Sequence, residues 1–140
     1  MQTFITDRRM NKSAANLDWQ RLGKQRVEAV QIARTLAGLS SGWKNHPAVR
    51  MWKGYEAYLV DEYLYVHLLE WGNRGYNGEK CWLHFYDLMN YIDVEKKARP
   101  PWITDELILS HRSNLVRKLP HWYGPLWPGV PSDLPYVWPR

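Results

Sequence analysis

Cysteine is almost missing from this 140-residue sequence: Cys81 stands alone. One thiol excludes an internal disulfide framework and any zinc site built on a cysteine cluster. Nothing around Cys81 marks it as activated, so it reads as a small buried hydrophobe. No run of eighteen apolar residues occurs, which removes a membrane-spanning helix from the expectations. The opening MQTFITDRRMNK has no apolar stretch long enough for a signal peptide, and a cytoplasmic location is expected. Histidines 46, 67, 84, 111 and 121 form no HExxH or paired metal spacing. A Gly-rich phosphate loop and a GxSxG elbow are both missing, and neighbouring acids such as Asp61-Glu62 fall on different helix faces. No cofactor or metal is expected from this pattern.

Phenylalanine is also scarce. Two Phe stand against nine Trp and nine Tyr. Bulk alone would be met by Phe and Leu. Trp and Tyr add a polar tip to a flat apolar body, which suits base-stacking pockets as well as a Trp-thickened core. The net charge of +5 is compatible with a phosphate-bearing partner.

The length suits one domain, taken as residues 1–140. No window alternates with period two, so the expected fold class is all-α: a compact single-domain helical bundle with one long central helix. Residues 1–16 read as polar and irregular. Helices are expected over 17–39, 47–74, 79–92 and 105–118. Pro47 suits a first helical position, Gly72 or Gly75 a stop, and Thr104 an N-cap. Residues 120–140 carry six of the nine prolines together with Trp122, Tyr123, Trp127, Tyr136 and Trp138. A disordered linker lacks such rings, so this segment is expected to lie extended across the helices. It could serve as a lid over a pocket, a clasp on the core, or a strap to a second copy in a homo-oligomer.

At about 100° per residue, Ala29, Val30, Ala33, Leu36 and Ala37 share one arc with Leu22. Arg26 falls inside that arc, while Lys24, Glu28, Gln31 and Thr35 lie opposite. A buried guanidinium needs an anion, either a carboxylate such as Glu56 or Glu62 or a ligand phosphate. The His46-Pro47 helix start, with Lys44 and Arg50 beside it, is a candidate anion cradle. On 105–118, His111, Asn114 and Lys118 share one face, and Ser110, Ser113 and Arg117 another. No acid stands between Glu106 and Asp133, which adds that helix to the candidate site. The candidate ligand-binding set is Arg26, Lys24, Lys44, His46, Arg50, His111, Ser113, Asn114, Arg117, Lys118 and Tyr123.

The stretches LGKQRVEAVQIA, GWKNHPAV and YEAYLVDEY…LLEWGNRGY, with SHRSNLVRKLPHWY and LPYVWP later, resemble the pyrimidine-dimer DNA glycosylase family of endonuclease V type. The resemblance implies a compact helical domain, an N-terminal amine of Thr as nucleophile, a Glu directly after an Arg as acid/base group, and basic side chains on DNA phosphates. The family's Arg matches Arg26. Its Glu position then falls on Val27, with Glu28 one residue on and turned toward the outer face. Met1 is followed by Gln2, so no Thr amine is exposed; Met1 itself keeps a primary amine. Two functions follow. In one, the scaffold holds a nucleotide or other phosphate-bearing small molecule without turnover, as a sequestering protein of a phage would. In the other it is a DNA glycosylase and AP lyase acting on damaged or modified bases through Met1 and Glu28.

Overall fold

The computed structural model describes residues 1–139. Among them the chain is helical, with no strand: α1 (Met10–Ala15), α2 (Trp19–Leu36), α3 (Pro47–Trp52), α4 (Glu56–Tyr58), α5 (Tyr65–Asn73), α6 (Glu79–Leu88), α7 (Asp105–Lys118) and α8 (Pro120–Leu126). A π-helical stretch, Leu59–Leu64, joins α4 to α5, and a 3₁₀ turn covers Val94–Lys96. Among the described residues no helix is long and apolar enough to cross a membrane.

The expected single helix over 47–74 is two. Gly54 adopts φ 88°, a left-handed conformation that ends α3 after Trp52. The Glu56 carboxylate accepts from the Gly54 N–H at 2.9 Å, and the chain restarts at α4. From there it stays helical to Asn73, where Gly75 at φ 88° turns it away. Thr104 caps α7 as expected, accepting from Leu107 N–H at 3.2 Å. Pro120–Leu126 is helical where an extended tail was expected. Pro120 takes a first-turn position, where its missing N–H costs nothing. The turn carries Tyr123 inward, where it is fully buried.

The larger core packs α2, α3, the α4–α5 helix and α6 around Trp52, Tyr63, Leu59, Leu64 and Leu68. A second cluster joins Phe4, Leu17 and Leu22 to Leu115, Tyr123 and Trp127. Between them runs a segment that the sequence left as irregular. Residues 2–6 are buried and lie outside any helix, and their backbone N–H groups are satisfied by side chains. Gln2 N–H donates to Glu28 (3.3 Å), Thr3 to Gln2 Oε1 (2.9 Å), Phe4 to Gln25 Oε1 (2.6 Å), Ile5 to His111 Nδ1 (2.9 Å) and Thr6 to Ser13 Oγ (2.8 Å). A buried segment outside any helix or sheet needs such partners, because each unpaired N–H would cost about 1–3 kcal/mol. The buried Gln, His and Ser residues supply them.

Candidate functional site

α2 presents two faces. Leu22, Ala29, Val30 and Ala33 pack inward, and Arg26 goes with them. Arg26 is 9% exposed, and its guanidinium lies over the Trp71 ring at 4.0 Å from the centroid. Among the described residues its Nε has no hydrogen-bond partner. Neither carboxylate expected for it pairs with it: Glu56 serves Gly54, and Glu62 pairs with Lys97 at 2.5 Å. Burial pulls the Arg26 pKa below its ordinary value. The cation is held by an aromatic face, which attracts it through the ring quadrupole. It does not open into the cleft described next.

The opposite face of α2 builds that cleft. Arg21, Lys24, Gln25 and Glu28 follow one another at helical spacing and line a cleft of about 620 Å³ with Met1, Gln2, Phe4, Trp19, Gln20, Lys118 and Tyr136. Glu28 lies on the outer face of α2 as expected, but that face is partly covered. The buried N-terminal segment runs along this side of α2, so the outer face of the helix becomes a cleft wall. Glu28 Oε2 accepts from Gln2 N–H and, at 3.1 Å, from Gln25 Nε2. The carboxylate therefore stands one residue from the amine of Met1. Val27 faces solvent at 45% exposure.

Gln25 organises the junction. Its Oε1 accepts from Phe4 N–H and lies 2.5 Å from the Tyr63 hydroxyl, while Nε2 donates to the Gln2 carbonyl (2.9 Å) as well as to Glu28. His46 stands near the same junction. Its Nδ1 accepts from Ala48 N–H at 3.0 Å, which makes it the N-cap of α3 and puts the neutral ring's proton on Nε2. Burial lowers its pKa, the Met1 amine lowers it further, and Glu28 partly offsets both.

The other sequence candidates scatter. Lys24 and Lys118 reach the cleft. Lys44 sits with Ser41, Trp43, Asn45 and His46 around a shallower hollow, and Arg50 lines a groove with Trp102 and Pro139. The polar face of α7 is occupied by the tail. Ser113 Oγ accepts from Leu134 N–H, Asn114 Nδ2 donates to the Leu134 and Ser110 carbonyls, and Arg117 donates to the Ser132 carbonyl and to Asn114. His111 is buried under Ile5, and burial pushes its pKa down to about 3. Tyr123 is buried with its hydroxyl on Asp18, and burial raises its pKa. Sequence reasoning missed Trp19, Arg21, Gln25 and Tyr136. Arg21 and Gln25 were visible as a continuation of the Lys24–Glu28 spacing; Tyr136, from the far end of the chain, had no local signal.

No curated protein and no solved structure matches this chain. The model of the pyrimidine dimer DNA glycosylase family matches residues 1–84. That span holds Met1, the buried N-terminal segment, Gln25, Glu28 and His46, while Lys118 and Tyr136 lie beyond it. With more than half of its length covered, and the junction of the first residue with α2 inside the match, the chain belongs to the pyrimidine dimer DNA glycosylase family.

Proposed function

We propose that the cleft binds a damaged or modified deoxynucleotide of DNA and acts on it as a DNA glycosylase and AP lyase, with the Met1 amine as nucleophile and Glu28 as the acid/base group. One observation carries the reading: Met1 and the Glu28 carboxylate line the same cleft, with Glu28 bonded to the peptide N–H of residue 2. The unprotonated amine attacks C1′ of the deoxyribose, and the base leaves with the electrons of the C1′–N bond. Loss of the ring oxygen from C1′ then gives an imine between the protein and the opened sugar. Glu28, next to that linkage, removes a proton from C2′, and the 3′ phosphate departs by β-elimination. Arg21, Lys24 and Lys118 supply positive charge for the flanking phosphates, and Trp19 and Tyr136 supply flat surfaces for a base taken out of the stack.

Borohydride trapping with a duplex containing an abasic site tests this. The expected product is a covalent adduct that maps by mass spectrometry to the Met1 amine, is abolished by adding residues before Met1, and is strongly reduced in Glu28→Gln. Absence of an adduct at any pH between 6 and 9 overturns the chemistry.

A second reading, a protein that sequesters a free nucleotide without turnover, is favoured by the size of the cleft. A volume of about 620 Å³ falls within the range of small-ligand pockets. Tight binding of a free nucleotide with no trapping would select it.

A further inference from the structure

Trp43 is the one non-glycine residue among those described with positive φ, 62°. A bulky side chain rarely adopts this backbone conformation, because its Cβ crowds the following carbonyl. Local burial does not explain it: the Trp43 ring is 61% exposed. The ring stands edge-on to His46 with centroids 5.9 Å apart, and His46 in turn meets Trp138 at 6.2 Å. Trp43, Lys44, Asn45, His46 and Ser41 surround a hollow of about 410 Å³. The hollow is distinct from the cleft at Met1, and a run of ring contacts joins the two: beyond Trp138 the next ring is Tyr136, with centroids 5.7 Å apart, and Tyr136 lines the cleft.

We propose that the Trp43 hollow is a second nucleotide subsite, in which the Trp43 indole stacks on the base next to the nucleotide held in the Met1 cleft and Lys44 meets its phosphate. An exposed indole with an open face is a stacking platform that accepts any base, and an adjacent lysine is the usual companion of such a platform. At this positive φ the side chain stands on the surface and outside both core clusters. The ligand class that follows is a nucleic acid strand of at least two nucleotides. The proposal rests on the reading of the Met1 cleft as a nucleotide site.

The test compares wild type with Trp43→Gly and Trp43→Phe. The probes are thymidine 5′-monophosphate and a short fluorescein-labelled single strand carrying one tetrahydrofuran abasic analogue. Glycine accepts positive φ without strain, so Trp43→Gly is expected to keep or raise Tm. It is expected to weaken binding of the strand roughly tenfold or more, in line with loss of one stacked base, and to leave the monophosphate unaffected. Trp43→Phe is expected to keep most of the affinity. Equal strand affinity in wild type and Trp43→Gly overturns the subsite, and so does a wild type that does not bind the strand. An equal loss for both probes also overturns it, because Trp43 would then belong to the first cleft. A fall in Tm that tracks the affinity loss shows a structural role and overturns it as well. Binding needs no chemistry, so a protein that fails borohydride trapping but shows the Trp43 effect loses only the catalytic reading.

Discussion

Gln25 donates from Nε2 to Glu28 Oε2 at 3.1 Å, across one turn of α2. The same amide satisfies the Gln2 carbonyl and the Phe4 N–H, so one side chain joins the acid/base candidate to the segment that carries the candidate nucleophile. Replacing Gln25 by Leu removes partners from buried groups of Phe4 and Tyr63 and is expected to destabilise the fold by about 2–4 kcal/mol, read by urea denaturation. Gln25→Glu keeps the acceptor for Phe4 but sets a second carboxylate beside Glu28. It is expected to shift the pH profile of borohydride trapping upward, an effect that a loss of stability alone would not produce.

Arg26 is expected to tolerate an apolar replacement. Its cation–π contact with Trp71 contributes about 1 kcal/mol, and a buried Nε without an acceptor offsets part of that. Arg26→Met should therefore stay within about 1 kcal/mol of wild-type stability in chemical denaturation and keep its ligand binding. A large loss of binding with the fold intact would return Arg26 to the site.

Two buried histidines set an acid limit. Burial holds His67 down to about 4 and His111 to about 3, from an ordinary 6.5. Above pH 6.5 both states are neutral and these residues contribute no pH dependence. Below it the unfolded chain takes up protons that the folded chain refuses, so stability falls as pH drops from 6.5 toward 4. The slope approaches about 1.4 kcal/mol per pH unit for each histidine. In urea melts at pH 7 and 4.5, His67→Asn and His111→Asn should each flatten the slope.

The tail is held by polar side chains of α7. Asn114→Leu removes the donor to the Leu134 and Ser110 carbonyls and the acceptor for Arg117. Limited proteolysis is expected to cut this variant between residues 128 and 135 well before wild type, with helical content by circular dichroism retained. Loss of helix together with cleavage would show that the tail is part of the core.

Tyr123 and Asp18 are both buried and bonded to each other, with Asp18 N–H also donating to the Tyr123 oxygen at 3.0 Å. Tyr123→Phe leaves a buried carboxylate short of a donor. It should cost about 1–3 kcal/mol in thermal or chemical denaturation without altering the Met1 cleft.

The sequence by itself determined α2, α6, α7 and the starts at Pro47 and Asp105, because apolar periodicity, Thr104 and the His46-Pro47 pair are local signals read within one or two turns; the short α1, the break at Gly54 and α8 were not legible in it. It also carried the face of Lys24 and Glu28, and the unusual place of Arg26 inside an apolar arc. Tertiary structure decided what those faces meet. Arg26 found an indole where an anion was expected, because Trp71, distant in sequence, packs against Gly23 and receives the guanidinium. Glu28 lines a cleft because a non-helical segment, unremarkable in sequence, is buried along α2. Its backbone N–H groups were satisfied by Gln25, His111 and Ser13, residues whose side chains give no sign in sequence of a distant backbone partner. Periodicity reports which way a side chain leaves its own helix; what stands there is set by long-range packing.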